Sequence, residues 1–219
     1  MKKYKGIIFD LDGTLLDTIQ DLADSVNFVL FTLNYPKHTY EEYKLKIGKG
    51  FKNLIEVSLP KNCRKEETIN HALHMFLGIY DKVYMNKTKP YNGISDMLEQ
   101  IQKKGVKIGV NSNKRTDYSN ILIKKNFPNI DFTQIYGERT GVPKKPDPSA
   151  ALEIAKQMEC KPEEILYVGD SKTDMQTGEN AGMDTVGVLW GFRDKSELVQ
   201  FKAAYIAENP EQIVSLFEK

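Results

Sequence analysis

The segment Lys5-Gly-Ile-Ile-Phe-Asp-Leu-Asp-Gly-Thr-Leu-Leu-Asp17 limits the fold more than any other part of this 219-residue chain. A short apolar run leads directly into two carboxylates, Asp10 and Asp12, followed by a Gly-Thr turn. Such a run near the N-terminus reads as a buried strand. Its C-terminal end is where open parallel sheets place their ligands. Two acids at that spacing repel each other, and the arrangement is cheap only if a cation lies between them or one acid keeps a proton.

Downstream, two textures follow each other. Ile19, Leu22, Ala23, Val26, Leu30 and Leu33 recur at helical spacing, as do Ile69, Ala72, Leu73, Phe76, Tyr80 and Val83. Thr39-Tyr-Glu-Glu42 has the capping-box pattern and starts a second, short helix. Residues 17–89 therefore read as an all-helical insert without a strand.

From Pro90 strands and helices alternate. Ile94, Met97, Leu98 and Ile101 line a helix that stops near Gly105, and Val106–Val110 is a strand. Asp147-Pro148 reads as an N-cap followed by proline at the first helical position. Further strands are expected at Ile165–Val168 and Thr185–Leu189, and a closing helix at 210–219 with Ile213, Leu216 and Phe217 inward. This alternation predicts an α/β domain with a parallel sheet and right-handed crossovers, built from residues 1–16 and 90–219.

Net charge is +1 and no basic block occurs, which argues against nucleic acid or an anionic membrane as a partner. No apolar stretch is long enough to span a bilayer. The basic start Met1-Lys2-Lys3-Tyr4-Lys5 precedes an apolar run too short for a signal peptide. Cys63 and Cys160 lie far apart and outside any CxxC pair, as expected of free thiols in a reducing cytoplasm.

Four polar segments sit at strand ends or in a loop able to reach them: Asp10–Thr14, Asn111–Lys114, Val142–Pro148 and Gly169–Asp174. Their residue types suit phosphoryl transfer. A carboxylate can act as nucleophile once a cation offsets its charge against a phosphate dianion. A lysine and a hydroxyl can hold the other phosphoryl oxygens, and a second acid can exchange protons with the leaving oxygen and with water.

In these four segments, in this order, the chain resembles the haloacid dehalogenase superfamily, specifically its phosphatases with a helical cap of the phosphoglycolate phosphatase branch. The signature stands as Asp10-Leu-Asp-Gly-Thr-Leu15, the hydroxyl as Ser112, the lysine as Lys145 in Lys-Pro-Asp-Pro148, and the acidic motif as Gly169–Asp174. The resemblance implies a Rossmann-like, doubly wound core carrying the insert as a cap. It implies a Mg²⁺-dependent phosphatase acting on a small phosphorylated metabolite through an aspartyl-phosphate, in a cytoplasmic monomer or homodimer. Asp10 would be nucleophile and metal ligand. Asp12 would be general acid/base and give its carbonyl to the metal, with Thr14 positioning it. Gly13, Ser112 and Asn113 would bind the phosphoryl group, and Lys145 would bridge nucleophile and phosphate. Asp170 and Asp174 would serve the metal. The acid at Asp12 points to an ester leaving group, since dehalogenases and phosphonatases lack one there.

Several readings stay open on sequence alone. The Lys-Pro-Asp-Pro register selects Lys145, with Lys144 as the substitute. Gly48-Lys49-Gly50 reads as a cap loop offering Lys49 and Gly50 to the leaving group, or else as a helix stop with an exposed lysine. Arg193 either reaches the site or is an exposed structural residue, and Asp17 is a hinge or a helix start. His71 and His74, three apart and without a third ligand, read as helix-surface residues, and the aromatics of the insert as bundle core. Phosphoglycolate leads as substrate. Pyrophosphate, a sugar phosphate, a nucleotide or a β-phosphoglucomutase-like transfer are alternatives on the same motifs, and a non-catalytic phosphate sensor is the rival from another class.

Overall fold

In the computed structural model, residues 4–217 are described; Met1-Lys2-Lys3 of the basic start and Glu218-Lys219 of the closing segment lie outside them. The strands are β1 (Gly6–Phe9), β2 (Leu16–Asp17), β3 (Lys89–Pro90), β4 (Lys107–Arg115), β5 (Phe132–Glu138), β6 (Ile165–Gly169), β7 (Asp184–Val188) and β8 (Tyr205–Ala207). The helices are α1 (Ile19–Thr32), α2 (Tyr40–Lys46), α3 (Phe51–Ser58), α4 (Glu66–Val83), α5 (Ile94–Lys103), α6 (Thr116–Asn126), α7 (Ser149–Gln157), α8 (Lys172–Ala181), α9 (Lys195–Gln200) and α10 (Pro210–Ser215).

Six strands form one sheet in the order β5-β4-β1-β6-β7-β8, and every pairing is parallel. The expected α/β class with a Rossmann-like parallel core is therefore what the chain adopts. β1 lies between β4 and β6, so the chain leaves it towards one edge and later returns to its other side. That switch point opens a crevice at the C-terminal ends of the central strands. Phe9 is level with Val110 on one side and Val168 on the other, which brings Asp10, Ser112 and Asp170 to the same rim.

Both faces of β1 are covered, as a run of apolar residues requires. Ile7 and Phe9 join a core shared with Leu98, Leu122, Ile213 and the insert, whereas Ile8 packs on Ala151, Ile154 and Met158 of the opposite layer. The insert is helical between β2 and β3, which pair antiparallel where the chain leaves the core and comes back. This two-stranded neck was not expected from sequence, because each strand has only two residues. The capping box at α2 is formed in full: Glu42 N–H donates to Thr39 Oγ1, and Glu42 Oε2 accepts from Thr39 N–H.

Three expectations need adjustment. β4 continues past Val110 to Arg115, although Asn111–Lys114 are polar, because their side chains find buried partners. β5 and β8, edge strands with few buried residues, carry too little apolar signal to read. α7 starts at Ser149, one residue later than proposed, with Asp147 Oδ1 accepting from Ser149 N–H. In the closing segment Ile213 is buried and Leu216 and Phe217 pack against the core as expected. Among the described residues no helix is long and apolar enough to cross a membrane.

Candidate active site

The carboxylates of Asp10 and Asp12 do not share one lysine. Each is gripped by its own buried lysine. Lys145 Nζ donates to Asp10 Oδ1 at 2.6 Å and to Asp174 Oδ1 at 2.7 Å. Lys114 Nζ donates to both oxygens of Asp12, at 2.9 and 3.2 Å. Lys144 instead pairs with Glu138 at 2.7 Å, so the geometry favours Lys145 as the lysine of the site.

Asp170 follows β6, and its Oδ2 accepts from Phe192 N–H at 2.7 Å. Gly13 packs against it with φ +87°, and a Cβ there would stand 2.4 Å from Asp170 Oδ2. Only glycine fits this turn, for both reasons. Asp174 sits in the first turn of α8. Its Oδ2 accepts from the Ser171 N–H and hydroxyl while its Oδ1 holds Lys145, so it positions that lysine.

Asp10, Asp170 and Asp174 each place a carboxylate oxygen within 4.8 Å of the others, and all three are buried. Burial, followed by repulsion from Asp174, raises the Asp170 carboxyl well above the ordinary range. Burial also raises Asp10, against the pull of Lys145. For Lys145 burial acts downward, and the two aspartates overcome it, so it is raised. The protein hydrogen bonds to Asp10 and Asp170 engage one oxygen of each. An all-oxygen, acid-rich cluster with uncommitted carboxylate oxygens fits a hard divalent cation.

Ser112 is buried in the same crevice, and its Oγ accepts from Lys114 N–H at 3.2 Å. Asn113 ties three segments together. Its Oδ1 accepts from Lys145 N–H at 3.0 Å, and its Nδ2 donates to Lys145 O and, at 2.9 Å, to Gly48 O of the insert. The Thr14 hydroxyl makes no hydrogen bond to Asp12. It is buried without a partner, and the Thr14 carbonyl accepts from Trp190 Nε1 at 2.9 Å. The side chain that holds the Asp12 carboxylate is Lys114, which is wholly buried.

The cavity above these groups is lined by Asp10, Asp12, Ser112, Asn113, Lys114, Lys145, Asp170 and Ser171 from the core, and by Leu22, Gly48, Gly50, Phe51 and Leu54 from the insert. Lys49, read either as meeting the leaving group or as an exposed lysine, is exposed and lines a neighbouring cleft beside Lys46 and Lys172. The reason is local. Gly48 is clamped by Asn113, Gly50 has φ +85°, and the loop thus turns its backbone to the cavity and its lysine away.

Sequence reasoning overlooked Lys114. Its signal lay in the spacing: on an extended strand, Ser112 and Lys114 fall on the same face. The aromatics expected as bundle core do pack together, yet Phe51 and Tyr80 also stand 5.4 and 5.2 Å from the Lys114 ammonium. Tyr118 of α6 joins this cluster from the core, with ring centroids 5.0 to 5.5 Å from Phe51, Tyr80 and Tyr84.

Comparison with known proteins agrees with this geometry. Residues 7–188 match the haloacid dehalogenase-like hydrolase family. The chain is 30% identical over 200 residues to a phosphoglycolate phosphatase of Psychrobacter arcticus, covering 89% of this chain and 87% of that one. It is 32% identical over 190 residues to a phosphoglycolate phosphatase of Aquifex aeolicus, covering 85% of each. A crystal structure from Lactobacillus delbrueckii, described as a candidate phosphoglycolate phosphatase, superposes with a TM-score of 0.92 at 30% identity, covering 98% of both chains.

Proposed function

Because the chain belongs to the haloacid dehalogenase-like hydrolases, we propose that it hydrolyses a small phosphate monoester, with phosphoglycolate as the leading substrate. The observation that carries this reading is Asp10 at the mouth of β1, held by Lys145 at 2.6 Å and grouped with Asp170. Bound Mg²⁺, held by Asp10, Asp170 and the Asp12 carbonyl, would offset the charge of the phosphate dianion that a carboxylate must approach.

The protein's own groups then act in sequence. An Asp10 oxygen attacks phosphorus, and the ester P–O bond breaks with its electron pair going to the leaving oxygen. Asp12 gives that oxygen a proton, and Lys114 pairs with the carboxylate left behind. Ser112, the Asn113 backbone and Lys145 hold the phosphoryl oxygens. Water then attacks phosphorus and passes a proton to Asp12, and phosphate leaves with Asp10 restored.

Residues 17–89 act as a cap over the core of 1–16 and 90–219. Leu22, Phe51 and Leu54 present apolar surface to the cavity and exclude bulk water. Phosphate release from phosphoglycolate with Mg²⁺ tests the proposal, alongside pyrophosphate, sugar phosphates and nucleotides. Turnover should vanish in Asp10→Asn. A wild-type protein that releases no phosphate from any of these esters would sink it.

A further inference from the structure

Resting on that reading, we infer that Arg193 is the receptor for a negatively charged group on the leaving side of the ester. Three cations line the cavity: Lys114, Lys145 and Arg193. The two lysines are already committed to Asp12, Asp10 and Asp174. Arg193 is not. Its side chain is only 11% exposed. Nη2 donates to the carbonyl of Ile47 at 2.9 Å, and Nε faces Glu197 Oε1 at 3.6 Å. Nη1 is buried with no hydrogen-bond partner.

A buried guanidinium nitrogen without an acceptor is costly. Four other buried side-chain atoms in the described residues share that state, but of the five only Arg193 Nη1 belongs to a residue that lines this cavity. The surroundings define what it takes. Leu22, Ile47, Phe51, Leu54 and Phe192 supply apolar walls, and Arg193 is fastened to the insert through Ile47, so its unpartnered Nη1 is the cationic donor on the insert side of the cavity. A planar fork of donors in an apolar setting suits a carboxylate or a second phosphate, on a leaving group small enough to stay between the walls. Glu197 limits the choice further. It stands on the Nε side, where its Oε1 also accepts from Lys172 N–H at 2.9 Å, and leaves the Nη1 edge to the ligand.

The same side chain also fastens the core to the cap loop through Ile47, so a purely structural strut is the reading to be separated. Phosphoglycolate and ethyl phosphate differ by a carboxylate in place of a methyl group, and their kcat/KM ratio isolates the contact. Wild type should prefer phosphoglycolate by about 100-fold or more, because a site built for a charged group rejects the analogue lacking it. In Arg193→Met the ratio should fall to within about 3-fold, chiefly through KM for phosphoglycolate, with Arg193→Lys in between. Equal losses on both esters would make Arg193 a strut and overturn the inference. So would a wild type that shows no preference for any anionic leaving group. If pyrophosphate outruns phosphoglycolate, and its advantage over ethyl phosphate collapses in Arg193→Met, the substrate choice fails while the role of Arg193 stands.

Discussion

Lys114 holds both carboxylate oxygens of Asp12, at 2.9 and 3.2 Å, from a position wholly removed from solvent. It reaches Asp12 from β4 beneath Phe51 and Tyr80 of the insert, so the proposed acid/base group is held by a cation that the insert covers. Burial alone would depress the Lys114 ammonium; Asp12 and Tyr80 outweigh it and raise it. Replacing Lys114 with methionine keeps the length and removes the charge. Turnover should drop by about 100-fold, the scale of a misplaced acid/base group. In a cycle with Asp12→Asn the two losses should be strongly non-additive. Independent, additive losses would show that Lys114 does not act through Asp12.

The lysine of the third segment gives a sharper contrast. Lys145 separates two buried acids, whereas Lys144 makes a half-exposed pair with Glu138. Lys145→Ala leaves Asp10 and Asp174 buried and unpaired, which costs about 3 kcal/mol or more in stability and should abolish measurable turnover. Lys144→Ala should change kcat/KM by less than about 3-fold, since exposed pairs contribute at most about 1 kcal/mol. Steady-state kinetics of the two variants decide between the lysines, and the reverse order of effects would reassign the role.

How far these groups could be read without coordinates depended on where their partners lie. Ile7-Ile8-Phe9 announces a strand covered on both faces, and Asp10 inherits its place from that run. Asn111–Lys114 hides its strand, because polar residues look like a loop until Tyr167, Gly48, Lys145 and Asp12 are seen to satisfy them. The glycines at 48 and 50 left two readings of Lys49 open, and the loop lines the cavity while Lys49 is exposed. Their positive φ angles turn the peptide groups inward, and nothing local in the sequence shows that Lys49 then faces away. Arg193 is a similar case: whether it is exposed or lines the cavity follows from the carbonyl of Ile47, 146 positions earlier.

Metal binding should be linked to pH with a definite sign. Asp10 and Asp170 are both raised above the ordinary aspartate value of 3.8, burial being the largest cause. A carboxyl whose folded value exceeds its unfolded one binds more protons when folded. Its contribution to stability is thus present at low pH and lost as pH rises through the folded value. Mg²⁺ binds the deprotonated pair, so protons compete with it at the acidic end. Added Mg²⁺ should therefore raise Tm more at about pH 8 than at about pH 5. Thermal melts with and without chelator check this. An equal shift at both pH values would remove these aspartates from the site.

One buried carboxylate is hydrogen-bonded to the segment by which the insert returns to the core. Asp21, in the first turn of α1, is only 3% exposed. It accepts from Lys87 N–H, from Thr88 N–H at 2.8 Å and from the Thr88 hydroxyl at 2.8 Å, just before β3. A helix start is a favourable place for a negative charge, which adds to these bonds. Asp21→Ala would leave the two backbone donors and the hydroxyl without their acceptor, at about 3 kcal/mol. For a chain of this size that corresponds to a Tm lower by roughly 6–12 °C. Asp21→Asn should lose less, because the amide oxygen still accepts while the NH₂ group opposes the remaining donors. The groups around Asp10 are untouched, so activity of the folded fraction well below Tm should stay within about 3-fold of wild type. A Tm change below about 2 °C in Asp21→Ala would show that the neck is held by the β2–β3 pairing and not by this carboxylate.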